Sequence, residues 1–143
     1  MFTRSFAFAF TALTAAVCVA TAAPALASEG VSNAETAKAY RMDAARHIYA
    51  AYPTKIYKGK LPPLVHAIVV TEVAVDHAGK IQSINMIRVP THAPDVTVAV
   101  RTMIEQTPLP APVRMADGAK FTEVWLVDKS GRFQLDALTE GQR

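Results

Sequence analysis

Between residues 65 and 76 the chain alternates with a period of two. Val65, Ala67, Val69, Thr71, Val73 and Val75 fall on one side, and His66, Ile68, Val70, Glu72 and Asp76 on the other. This is the pattern of a strand with one face in a core and the other only partly wet, and it predicts a strand over 64–75. Asp76-His77-Ala78-Gly79 supplies turn residues, with Gly79 free to take positive φ, so residues 80–89 are expected to return as the second strand of a hairpin. Ile81, Ile84 and Ile87 do not share a period-two face. A bulge would reconcile them.

On either side of the hairpin the period lengthens to that of a helix. Ala37, Tyr40, Ala44, Ile48 and Ala51 recur at three- and four-residue steps, and Pro53 ends the run near Tyr52. Ser32-Asn33-Ala34-Glu35 fits a capping box, which predicts that this first helix starts there. Residues 54–63, with Gly59, Pro62 and Pro63, read as a connection. Val96, Ala99, Val100, Met103 and Ile104 predict a second helix over 95–106. The Pro-rich residues 107–112 form a stiff extended connector, 121–128 a third strand, 129–132 a turn and 133–138 a short fourth strand. The expected fold class is α+β, a small antiparallel sheet of three to four strands with two helices packed on one face.

The amino terminus needs a separate reading. Arg4 precedes an uncharged stretch rich in Ala, Val and Phe that closes on Ala25-Leu26-Ala27, the layout of a secretory signal with an A-x-A cleavage site. Residues 1–27 are therefore expected to be a signal peptide and 28–143 a single domain, exported to the periplasm with no membrane anchor once the leader is cleaved. The alternative is an uncleaved anchor, although the many Ala and Thr residues make the stretch only weakly hydrophobic. Of 143 residues, 51% are hydrophobic and 19% charged, with a net charge of +3, which sets aside disorder and fibrous classes. The one cysteine, Cys18, belongs to the leader, so the domain is thiol-free. Its charges are scattered singly and form no basic patch of the kind nucleic acid needs.

Candidate chemistry is sparse. His66 and His77 stand at opposite ends of the first strand, tens of ångströms apart at about 3.3 Å per residue. His66 and His92 fall at the same end of the hairpin, but zinc wants three or four converging ligands, so no metal and no cofactor are expected. No nucleophile, base and orienting group come together, and Ser28, Ser32, Ser83 and Ser130 have plainer places at a cleavage site, a cap, a strand surface and a turn. An enzyme is not expected.

One ordered set of features carries a resemblance. Tyr52-Pro53, Gly59, the Val-rich strand, Asp-x-x-Gly-x-Ile at 76–81, a short helix with Ala99-Val100, the Pro segment at 108–112 and a closing strand through Trp125 follow in sequence. Over residues 52–138 this resembles the carboxy-terminal domain of the TonB family, periplasmic modules of energy transducers, with the terminal domain of TolA as a structural relative. Arg88-Val89-Pro90-Thr91-His92 stands where that family usually has a Ser-Ser-Gly-like stretch, and residues 28–51 hold no long Pro-rich spacer. The resemblance implies the recognition module alone, without transmission of force.

The expected function is a non-catalytic, periplasmic protein- or peptide-binding module. Its partner, an outer-membrane or periplasmic protein, would pair with a sheet edge by strand addition. The resemblance implies contact at the strand 121–128 and ahead of the Tyr-Pro pair, giving Tyr52, Pro53, Phe121, Glu123, Val124, Trp125 and Val127 as candidate partner-binding residues. Trp125 and the Tyr49, Tyr52 and Tyr57 group also read as core or helix-end seals. The third strand leaves an edge open unless 133–138 folds back over it. The alternative function is an exported inhibitor or small-ligand carrier, which would need an enclosed apolar pocket of about 300 Å³ or more. A homodimer is kept as a further partner.

Overall fold

The computed structural model describes residues 30–143. The expected signal peptide, its cleavage site and the expected domain start at Ser28 lie outside the described residues.

The described chain runs β1 (Val31–Ser32), α1 (Ala37–Ala51), β2 (Ala67–Val75), β3 (Ile81–Arg88), α2 (Pro94–Gln106), β4 (Ala111–Pro112), β5 (Ala119–Val127) and β6 (Phe133–Leu135). Single 3-10 turns follow α1 at Pro53–Lys55 and β6 at Asp136–Leu138. Strands β3, β2, β5 and β6 form, in that order, an antiparallel sheet, and β1 pairs in parallel with β4. The fold is α+β.

Strict alternation places the core. Ala67, Val69, Thr71, Val73 and Val75 of β2 stand opposite Val127, Trp125, Glu123, Phe121 and Ala119 of β5, and all ten are buried. Against this face pack Tyr40, Ala44 and Ile48 of α1 and Val96, Val100, Met103 and Ile104 of α2. Each fully buried Val, Ile or Phe side chain contributes about 1.5–3 kcal/mol through its removal from water. Trp125 lies at the centre, fully buried, its ring 4.8 Å from that of Phe133 and its indole N–H donating to Thr71 Oγ1 at 3.3 Å.

Two local expectations are corrected. Ser32 does not cap α1. Its hydroxyl donates to Asp43 Oδ2 at 2.7 Å and accepts from Ala34 N–H, while its backbone is taken by the pairing with Pro112. Thr36 caps the helix instead, four residues later, accepting from Ala39 N–H at 3.2 Å. The connector at 107–112 is extended as expected, yet its end contributes strand β4, because parallel pairing with β1 suits a Pro at a sheet margin.

The bulges in β3 have the anticipated cause. Ile81, Ile84 and Met86 stand opposite Val75, Val73 and Thr71 on the core face, and register shifts occur beside Gln82 and Ile87. The second shift turns Ile87 outward, 54% exposed, which resolves its clash of phase.

Candidate functional site

A strand-adding site needs backbone groups that the fold leaves unpaired, so the two margins of the main sheet decide where one can exist. On the β6 side, β5 is covered where binding residues were expected. Trp125, Leu126 and Val127 pair with Leu135, Gln134 and Phe133. Val124 N–H points the same way and is taken by the carboxylate of Glu123, at 3.0 Å from Oε1. That buried carboxylate also accepts from Ala137 N–H and from Arg41, whose Nε and Nη2 stand 3.2 and 2.7 Å from its two oxygens. Hydrogen bonding to Glu123 raises the Arg41 pKa, against the opposing effect of burial. The guanidinium reaches Asp136 as well, at 2.8 Å. Beyond β6 the margin is closed again: Tyr57 N–H donates to Phe133 O, and the buried Gln134 amide donates to the carbonyls of Tyr57 and Gly59.

Of the seven candidate residues, Phe121, Glu123, Trp125 and Val127 are buried on the helix-packed face, and Val124 is half-buried with its outward donor satisfied. The expected open edge along 121–128 is closed in part: β6 covers Trp125–Val127 and the Glu123 carboxylate takes Val124 N–H, while residues 119–123 pair with β2 alone among the described residues. Tyr52 and Pro53 sit apart from these residues. Tyr52 donates its hydroxyl to Met103 O at 3.2 Å, and Pro53 lines a surface groove of about 650 Å³ with Thr54, Ile56, Tyr57, Lys58 and Arg132. Tyr49 is a seal: its hydroxyl accepts from Leu135 N–H, and burial raises its pKa.

On the other margin β3 has no strand beyond it among the described residues. Which of its groups face outward follows from alternation. Val124 N–H points away from β2, so its partner Val70 turns its own N–H and C=O toward β3, and Glu72 and Ala74 do the same. Their partners Asn85 and Ser83 therefore face inward, and Ile84 and Met86 present N–H and C=O to solvent. Between the two register shifts the edge is regular over 83–86. It carries none of the usual protection by Lys or Pro, and the first charge is Arg88.

Past Arg88 the edge runs into a second groove, of about 310 Å³, lined by Val65, His66, Ala67, Ile68 and the segment 88–92. Two imidazoles meet there edge-to-face, centroids 5.6 Å apart, and His92 Nε2 donates to His66 O at 2.7 Å. Among the described residues no three His, Cys, Asp or Glu side chains form a metal-holding group. Sequence reading put His66 and His92 at the same end of the hairpin but missed the β3 edge. The signal was present in the out-of-phase isoleucines, since bulges gather at sheet margins. No family model, curated protein or solved structure matches this chain.

Proposed function

We propose that the chain is a non-catalytic protein- or peptide-binding module, exported to the periplasm, that takes an extended partner segment as an added strand on the outer edge of β3. One observation carries this reading: the outward N–H and C=O groups of Ile84 and Met86, on a regular and uncharged stretch of margin. The TonB-like resemblance suggests the same mode of binding on 121–128, but that strand is flanked on both sides over Trp125–Val127, which favours β3. The small-ligand reading is less well supported. The mainly apolar crevice between α2 and the sheet end, lined by Val96, Val100, Met103 and Phe133, holds about 120 Å³, below the size of common ligand cavities.

The test begins with peptides selected by the exported chain from a displayed library of randomised short sequences. Strand addition protects the Ile84 and Met86 amides from hydrogen exchange in the complex. Met86→Pro removes an outward donor and abolishes binding, whereas Met86→Ala keeps the donor and the affinity. Binding that survives Met86→Pro, or a library that yields no binder, overturns the proposal.

A further inference from the structure

The regular part of the β3 edge is short, and a partner paired only over 83–86 would gain few backbone hydrogen bonds. A specific partner needs an anchor at one end of that ladder. At the Arg88 end the groove offers one. Arg88, the last residue of β3, pairs across to Val70, and its guanidinium has no acidic partner among the described residues. The groove continues through Thr91, His66 and His92, and no Asp or Glu among the described residues lines it. His92 spends its Nε2 proton on the His66 carbonyl, which fixes its ring. Exposed Ile87, Val89 and Leu64, at 54%, 47% and 88%, add apolar surface along this stretch of chain.

We infer that this groove is the specificity pocket of the β3 edge and receives an acidic side chain, an Asp or Glu of the partner segment, just beyond the paired residues. The inference rests on the strand-addition reading and names its partner: an extended segment with a carboxylate at one end of its paired stretch. Charge complementarity selects the carboxylate. A guanidinium binds it through two parallel N–H donors, and the Thr91 hydroxyl adds a further donor. A side chain, unlike a chain terminus, can reach the groove whether the partner runs parallel or antiparallel to β3.

The peptides selected from the library test this directly. They carry Asp or Glu at a fixed position relative to the residues that protect Ile84 and Met86. Replacing that acid by its amide weakens binding about ten- to a hundredfold, the usual worth of a charge-assisted hydrogen bond. Arg88→Ala gives the same loss with the acidic peptide and none with the amide peptide, and Arg88→Glu shifts the selection toward Lys or Arg at that position. Amidating the peptide terminus leaves affinity unchanged. If acid-free peptides bind as tightly while Ile84 and Met86 stay protected, the pocket is overturned and strand addition stands. Loss on terminal amidation alone overturns the side-chain assignment. Binders that leave both amides unprotected overturn strand addition itself, and the pocket with it.

Discussion

Glu123 holds its carboxylate where only 2% of the side chain meets solvent, and four donors converge on it from three elements: Arg41 Nε and Nη2 on α1, Val124 N–H on β5 and Ala137 N–H beyond β6. Removing one partner of such a pair strands the other without compensation, which costs more than the pair contributes over an apolar replacement. Arg41→Ala is expected to lower stability by roughly 3 kcal/mol in urea unfolding. Asp136→Asn, whose carboxylate is about half exposed at 52%, is expected to cost less than about 1 kcal/mol. Equal losses from the two would refute the role given to burial. Tyr40 offers a second measurement. Its hydroxyl donates to Pro110 O at 2.8 Å, and burial, with smaller contributions from the charges of Asp43 and Asp76, raises its pKa. The folded chain therefore holds this proton above about pH 10, where an unfolded tyrosine releases it. Stability is full below that pH and falls as pH rises past it, because the unfolded state then binds fewer protons. Tyr40→Phe is expected to cost about 1 kcal/mol at neutral pH and to flatten the alkaline decline in melting temperature. Neither network was legible in the sequence. Glu123 reads there as a partner-contacting residue on an edge strand, because nothing local reveals that Arg41, 82 residues away, will meet it.

Gly79 and Gly131 occupy equivalent hairpin turns, with φ of +83° and +80°, yet differ in what surrounds them. A Cβ on Gly79 would stand 2.4 Å from Leu109 O, whereas Gly131 has nothing within 4 Å. Gly131→Ala should therefore cost about 1–2 kcal/mol, the penalty of a left-handed backbone, and Gly79→Ala clearly more, since the hairpin must also part from the connector. Thermal unfolding of the two variants checks the order, and equal shifts would remove the packing argument. The turn itself was readable: Asp76 Oδ1 accepts from Ala78 and Lys80 N–H, as a local Asx turn does. Strong periodicity made both helices and the alternating strands legible for the same reason, because one buried face imposes its period on the residues. The cap of α1 was misread since Ser32 satisfies the local capping pattern but is drawn into a parallel pairing with Pro112, a contact that no nearby residue announces.

The two margins of the sheet differ, and the carboxy-terminal segment contributes to this by covering the end of β5 over Trp125–Val127. The hairpin of β2 and β3 was readable in the sequence, but the covering of β5 was not, because it depends on Gln134, a polar residue that ends up buried. Its amide donates to the carbonyls of Tyr57 and Gly59, and its oxygen accepts from Thr139 Oγ1 and Glu140 N–H. The chain end adds Leu61 N–H to Gly141 O and Arg143 N–H to Leu61 O, above a fully buried Leu61. Residues 139–143 thus hold the segment that seals β6. Deleting them leaves the Gln134 oxygen without its donors and uncovers Leu61, at a cost of about 1–3 kcal/mol for the unsatisfied polar group and a similar amount for the lost apolar burial. The consequence reaches beyond stability. A molecule with one margin bare and the other sealed at its end pairs more readily with one partner strand or one second copy than with a growing series of copies. A molecule with two bare margins can add copies at both and grow without closing. The described chain is therefore expected to remain of bounded size as its concentration rises, and the chain shortened after Leu138 to form progressively larger species, as read by light scattering. Adding Met86→Pro to the shortened chain should arrest growth by removing an outward donor on the β3 margin. If the shortened chain stays as small as the parent, the segment 56–61 holds its place unaided, through the pairing of Ile56 with Phe133 and the Gln134 amide bonds to Tyr57 and Gly59.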